Sequence, residues 1–268
     1  MAMDACIVLT RPEGRNEALA ERLRSAGHQV LCLPALKVTA LPLNESIKPP
    51  GDYDLIVFVS RNAVQFYLDS LARLDMLPPW PAHTLAATVG VSSAAGLKQA
   101  AIIPAASILH PSADAQNQDS EALWPLLAAR LPQIRRALIV RGVSGREWLG
   151  ERLEQAGVQV ERLAVYDRAA VAWVADQYQA LLAALAGARP CVFLLTSSES
   201  LDAIHANIVR LGVQEQWARS RFVAIHERVA SHLQSILRAS GKVEPPMVKL
   251  CQPTDDALFE ALSRTASP

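Results

Sequence analysis

The sequence predicts an α/β fold made of two similar parallel-sheet domains, and three observations carry that prediction. Residues 11–33 recur as residues 141–163, with Glu17/Glu147, Leu19/Leu149, Glu21-Arg22-Leu23/Glu151-Arg152-Leu153, Ala26-Gly27/Ala156-Gly157, Gln29-Val30/Gln159-Val160 and Leu33/Leu163 all matching. A repeat of this length marks a duplicated supersecondary unit, not a short array motif. Short apolar runs alternate with helical-period segments, the pattern of parallel strands covered on both faces by helices. Ala26-Gly27 and Ala156-Gly157 supply matching helix stops, each followed by a strand. Two similar halves imply a cleft between them, a favoured place for a ligand.

Taken in order, the apolar run at 6–10 predicts the first strand. The period of Leu19, Leu23 and Ala26 predicts a helix, and 30–33 the next strand. Residues 34–42 form an extended, β-rich connector. Runs at 55–60 and 85–89 flank a helix carrying Val64, Tyr67, Leu68 and Leu71. A further strand is expected at 101–103. The stretch 104–118, rich in Ala, Ser, Asn and Gln, reads as a loop that ends with Ser120 capping a helix. Runs at 137–140 and 158–163 enclose a helix on Leu149, Leu153 and Ala156, and a second connector covers 164–171. Strands at 191–196 and 222–225 follow, the latter leading into a helix on Val229, Leu233, Ile236 and Leu237. A second duplicated block aligns 54–66 with 189–201, pairing Ser60 with Ser197, and 88–97 with 224–233. The order is therefore A–B–A′–B′, with the two connectors free to pair as a two-stranded ribbon.

Composition narrows the functional classes. With 268 residues, 51% of them hydrophobic and 19% charged, the chain can bury the cores of two ordinary domains. Lys+Arg and Asp+Glu balance at 26 each, which argues against nucleic acid or an anionic membrane as partner and makes any anion preference local. The first ten residues are too short and too acidic for a signal peptide. The longest uncharged stretch, 77–97, is broken by Pro78, Pro79, Pro81, His83 and Gly90, so no membrane span is expected. Four cysteines without C-x-x-C spacing fit a reducing cytoplasm, and six scattered histidines predict no metal site. Neither G-x-x-x-x-G-K-[ST] nor G-x-G-x-x-G occurs.

The chemistry gathers at the carboxyl ends of the predicted strands, where open α/β sheets hold their ligands. Those ends read Thr10-Arg11-Pro12, Ser60-Arg61-Asn62, Gly90-Val91-Ser92-Ser93, Arg141-Gly142-Val143-Ser144-Gly145-Arg146, Thr196-Ser197-Ser198 and Ile225-His226-Glu227. Helix N-terminal N–H groups attract anions and Arg grips carboxylates bidentately, so the set reads as several spaced anion sockets. The same hydroxyls serve equally well as N-caps worth about 1 kcal/mol each. The same arginines serve equally well as solvated surface charge. Tyr166 stands in the second connector beside Asp167-Arg168. There it either covers the hinge or faces the cleft, offering a proton or hydrogen bond without charge.

The ordered set V-L-T-R-P-E-G, F-V-S-R-N-A-V, T-V-G-V-S-S-A-A-G-L, V-R-G-V-S-G-R-E-W-L-G-E-R-L, A-V-Y-D-R and L-L-T-S-S-E-S-L resembles the uroporphyrinogen-III synthase family over nearly the whole chain. The resemblance implies a discontinuous first domain (1–36 plus 168–268), a second domain (41–164) and a connecting ribbon (34–43 and 164–170). It implies a monomeric lyase of heme biosynthesis that needs no cofactor. The substrate would be hydroxymethylbilane, a linear tetrapyrrole polycarboxylate, which loses water and closes through a spiro intermediate with its last ring inverted. Tyr166 matches the family's ribbon tyrosine and would assist departure of the hydroxyl. Ser93 stands where the family has Thr in V-G-x-x-T-A, and Ser60, Ser197 and Ser198 match its turn hydroxyls. Thr10, Arg11, Arg61, Asn62, Ser92, Arg141, Gly142, Ser144, Arg146, Thr196 and Arg228 complete the expected substrate contacts. One departure stands out: I-G-x-x-T-A appears as Ile225-His226-Glu227-Arg228-Val229-Ala230. Val229 cannot donate a hydrogen bond and Glu227 would repel a propionate, so either Arg228 compensates or this socket is weakened. The competing readings are a catalytically weak paralogue and a non-catalytic two-domain binder of a small polyanion.

Overall fold

The structure, a computed structural model, describes residues 5–43, 47–76, 79–112, 115, 119–188, 190–241 and 246–267. The N-terminal residues 1–4, Arg189 of the second repeat, and positions 113, 114 and 116–118 of the expected loop lie outside them. The chain begins with β1 (Ile7–Leu9), α1 (Glu17–Ser25), β2 (Val30–Cys32) and β3 (Leu36–Ala40). Next come β4 (Leu55–Phe58), α2 (Arg61–Arg73), β5 (Leu85–Thr88), α3 (Val91–Gln99), β6 (Ile108–Leu109) and α4 (Ser120–Ala128). The second copy of the repeat forms β7 (Arg136–Gly142), α5 (Trp148–Gln155) and β8 (Gln159–Ala170). The remainder is α6 (Ala175–Leu185), β9 (Val192–Leu195), α7 (Ser198–Leu211), α8 (Gln214–Ala218), β10 (Arg221–Ala224), α9 (Glu227–Ala239), β11 (Val248–Leu250) and α10 (Asp255–Ala266).

These elements form two compact units, Met1–Val38 with Ala169–Pro268 (unit 1) and Thr39–Arg168 (unit 2). The sheet of unit 1 has the order β11-β10-β9-β1-β2, and that of unit 2 the order β3-β8-β7-β4-β5-β6. With β3 set aside the two orders are the same, β8, β7, β4, β5 and β6 standing for β2, β1, β9, β10 and β11. The repeat even preserves register: Ile7↔Val30, Val8↔Leu31 and Leu9↔Cys32 reappear as Ala137↔Val160, Leu138↔Glu161 and Ile139↔Arg162. Both helix stops work alike. Gly27 (φ +91°) and Gly157 (φ +85°) take the left-handed conformation that costs glycine little. His28 N–H then donates to Leu23 O, and Val158 N–H to Leu153 O, each at 3.0 Å.

The connectors pair as extended chain. β3 flanks β8 in the sheet order, Leu41 N–H donates to Val165 O at 3.0 Å, and Val171 N–H donates to Ala35 O at 2.9 Å. In unit 1 the core on one face of the sheet centres on Phe193, Trp217 and Phe222, and on the other on Leu19, Leu23, Leu258 and Leu262. Unit 2 buries Leu55, Val57, Leu123, Leu127, Leu149 and Leu153 together. The central strands are apolar throughout because helices cover both of their faces.

Three expectations are corrected. Residues 101–103 are not a strand: Ala101 turns the chain at φ +55° after α3, and the edge strand forms at Ile108–Leu109, where Ile108 pairs with Ala86. The stretch read as a loop therefore contains a short strand and a 3₁₀ turn at Ala105–Ser107. The cap of α4 is Asp119, not Ser120. Asp119 is extended, and its carboxylate accepts the Ala122 N–H at 2.9 Å, while Ser120 is already helical.

Asp54, just before β4, fastens two strands. Its carboxylate accepts the Arg135 N–H at 2.8 Å and the Arg136 N–H at 2.9 Å, tying the start of β4 to the start of β7. Burial pushes its pKa up, and the two N–H donors outweigh burial and hold it below the ordinary value. A depressed carboxylate contributes stability above its unfolded pKa of about 3.9, lost as pH falls through the lower folded value. Asp54→Asn is expected to lower the urea midpoint at neutral pH and to converge with the parent in acid. A gap that stayed constant down to about pH 2 would refute this linkage.

Candidate active site

Open α/β sheets bind ligands outside the carboxyl ends of their strands, at the point where strand order reverses. That point lies between β4 and β7 in unit 2 and between β9 and β1 in unit 1. Most of the residues singled out in the sequence follow the strands that flank these points, while Ser92 and Ser93 follow β5 and Arg228 follows β10.

In unit 2, Ser60 follows β4 in an extended conformation, and its Oγ accepts the Ala63 N–H at 3.1 Å, capping α2. Asn62 sits half-buried in the first turn of that helix, and Arg61 beside it is exposed. α3 starts from Gly90 with no side-chain cap, and Ser93 is buried in its first turn. The side chain of Ser92 lies outside the described residues. The register of β7 against β8 shifts from Arg141↔Ala164 to Gly142↔Tyr166, a bulge at Val165 that re-aims the tyrosine. Tyr166 Oη comes to 3.0 Å from Ser60 Oγ. Its ring lies 6.0 Å from that of Phe66, with the Arg168 guanidinium 5.9 Å from the ring centre. Tyr166 is only 3% exposed, so its place in a connector does not leave it open to solvent.

Three arginines expected to meet substrate carboxylates already hold carboxylates of this chain. Arg141, 8% exposed, bonds Glu147, which also accepts Arg162 Nε at 2.9 Å. Arg141 first, and Arg162 after it, hold the Glu147 carboxyl below its ordinary pKa against the opposing effect of burial. Arg146 pairs with Glu121, and Arg11 with Asp255 at 2.7 Å. These pairs brace the loops after β1 and β7. Arg61 and Arg228 are exposed and make no ion pair among the described residues. Glu147 was not singled out in the sequence, though its repeat mate carried the signal. Glu17 accepts the Gly14 N–H at 3.2 Å and the Asn16 N–H at 3.0 Å, so both copies use this glutamate to brace the post-strand loop. Ser144 is exposed within that loop in unit 2.

In unit 1, Thr10 is fully buried, and its hydroxyl donates to Leu194 O. It ties β1 to β9 and does not offer that hydroxyl to a ligand. Ser197 caps α7: its Oγ accepts the Ser200 N–H at 3.0 Å, and Ser200 Oγ accepts the Ser197 N–H at 3.1 Å, a reciprocal capping box. Thr196 and Ser198 flank it, both half-buried. At the matching place after β10, His226 takes over the cap, its Nδ1 accepting the Arg228 N–H at 3.0 Å. Val229 is 2% exposed and packs into the core with Leu233 and Leu237. Ser93, at the matching position of unit 2, is buried as well.

Among the described residues, no group of three or more His, Cys, Asp or Glu side chains is placed to hold a metal ion. No described helix is long and apolar enough to cross a membrane.

Cap hydroxyls, helix-start amides and a hydrogen-bonded phenol stand beyond the strand ends of a two-unit α/β protein. A family model, HEM4, uroporphyrinogen-III synthase HemD, matches residues 17–237. The chain is 28% identical over 270 residues to uroporphyrinogen-III synthase of Escherichia coli K12, covering 96% of this chain and 99% of that protein. It is 30% identical over 229 residues to the Salmonella typhimurium enzyme, covering 84% and 88% respectively. Its fold matches uroporphyrinogen-III synthetase from Helicobacter pylori with a TM-score of 0.60 at 19% identity, covering 97% of this chain and 99% of that one. It also matches a mutant uroporphyrinogen III synthase from Thermus thermophilus, with a TM-score of 0.60 at 15% identity and 97% and 98% coverage. The chain belongs to the uroporphyrinogen-III synthase family, cyclising lyases of porphyrin biosynthesis.

Proposed function

We propose that this chain converts hydroxymethylbilane into uroporphyrinogen III, closing the macrocycle with the last pyrrole ring inverted and releasing one water. The observation that supports a specific role is the Tyr166–Ser60 pair at the reversal point of unit 2. Tyr166 gives its phenol proton to the departing hydroxyl, and the carbon–oxygen bonding pair leaves with that oxygen as water. Electrons from the pyrrole nitrogen stabilise the electrophilic carbon left behind. The substituted carbon of the last ring attacks it, the spiro intermediate reopens, and closure with that ring inverted releases a proton that restores the phenol. The steps balance without an added oxidant, reductant or cofactor.

Because the bilane makes its own bonds, the protein's main task is to hold one cyclising conformer. Helix-start amides at α2, α3, α7 and α9 and the exposed Arg61 and Arg228 are suited to propionates. Arg11, Arg141 and Arg146 act through the loops that they brace. All these groups lie on one chain, so the proposal takes a monomer as the working unit. Cys6 and Cys191, free thiols just before the neighbouring strands β1 and β9, fit a reducing cytoplasm.

The test supplies purified protein with freshly generated hydroxymethylbilane and oxidises the product. Uroporphyrin is expected to shift from isomer I to isomer III. An isomer ratio identical to the protein-free control would remove the enzyme reading and leave a binder of polyanions.

A further inference from the structure

Tyr166 belongs to β8, Ser60 follows β4, and β7 runs between those strands. Two strand spacings, about 9–10 Å, separate the outer pair. A tyrosine that reaches Ser60 from β8 must therefore lay its ring across β7. The residue it crosses is Gly142. A Cβ there would stand 2.8 Å from Tyr166 Cε2 and 3.0 Å from Cζ, inside the distance real carbon contacts keep. The bulge at Val165 sets the ring over this bare stretch, since Gly142 pairs with Tyr166.

The hydroxyl at the far end is also prepared. Ser60 Oγ accepts the Ala63 N–H at 3.1 Å, and a hydroxyl that accepts one hydrogen bond becomes a better donor in the next. Its next partner is Tyr166 Oη at 3.0 Å.

We propose that Gly142 and Ser60 are positioning residues for Tyr166: Gly142 opens the passage across β7, and Ser60 donates to the phenol oxygen and turns the phenol proton outward. When that proton passes to the departing hydroxyl, the phenolate keeps the Ser60 hydrogen bond and lies at the start of α2, whose free N–H groups favour negative charge. Ser60 keeps its own proton throughout. This inference rests on the reading of Tyr166 as proton donor.

The test measures kcat, KM and thermal midpoint for Ser60→Ala, Ser60→Gly, Ser60→Thr and Gly142→Ala, with the Ala variants repeated on Tyr166→Phe. Ser60→Ala, Ser60→Gly and Gly142→Ala are expected to lower kcat at least about tenfold with KM within about twofold, the signature of an interaction made only in the transition state. Ser60→Gly keeps most of the capping and so most of the thermal midpoint, which separates the chemistry from helix stability. Ser60→Thr, which retains the hydroxyl, is expected to restore turnover. On Tyr166→Phe, Ser60→Ala and Gly142→Ala should lower kcat no further. Full turnover in Ser60→Gly, or losses that add to those of Tyr166→Phe, would overturn the proposal. Should Gly142→Ala fail to fold, the Ser60 series decides alone. Full turnover in Tyr166→Phe itself would instead show that the proton-donor reading has failed, and this inference with it.

Discussion

Tyr166→Phe is expected to lower kcat about a hundredfold while KM changes by less than about threefold. General acids typically contribute 10²–10⁴-fold, and the lower end applies because the pyrrole nitrogen already assists departure of the hydroxyl. The substitution keeps the ring that lies across Gly142 and against Phe66, so packing survives. Only the bond to Ser60 is lost, and Ser60 keeps its link to Ala63 N–H. One hydrogen bond of this kind is worth about 0.5–1.5 kcal/mol, too little to unfold the domain. The isomer ratio should move with the rate, because slowed catalysis leaves bilane to close unaided as isomer I. Unimpaired turnover would reduce Tyr166 to a packing residue.

The second large effect is on stability. Phe193 is fully buried in the middle of β9 and meets Trp217 edge-on at 6.3 Å and Phe222 at 6.1 Å. Its neighbours across the sheet are Val8 and Phe222, both also fully buried. Removing such a ring leaves a cavity that rigid strands cannot close, at a cost of about 3–5 kcal/mol. Domains are stable by only about 5–15 kcal/mol. Phe193→Ala is therefore expected to shift the denaturant midpoint strongly and to reduce yield. The contrast is Ser144→Ala on an exposed loop, which should lie within about 0.5 kcal/mol of the parent. Equal midpoints for the two variants would refute this account of the unit 1 core.

The fold was legible wherever the repeat or a long apolar run carried it. The strand–helix–strand copies and their glycine stops follow from residues near one another in the chain. The strands that the sequence did not reveal lie at sheet edges. Ile108–Leu109 and Val248–Leu250 are too short for alternation to register, and both take their place by pairing with a neighbouring strand. The site was legible as a set of strand ends, and the arrangement within it was not. Asp255 lies 244 positions from Arg11, and Glu121 lies 25 from Arg146, so nothing local marks those arginines as paired. Tyr166 and Ser60, 106 positions apart, meet because a bulge, a glycine and a strand order coincide.

The strand order of unit 1 also has a consequence for how this polypeptide is made. β1 is central, yet its neighbour β9 is translated late: the Thr10 hydroxyl bonds a carbonyl 184 residues downstream. Once Ala170 has been made, every strand of the unit 2 sheet is in hand, while Ile7, Val8 and Leu9 wait with one flank bare. Bare apolar strand edges invite association with other nascent chains. Translational pausing after about residue 170 should therefore be the step at which newly made protein most needs a chaperone.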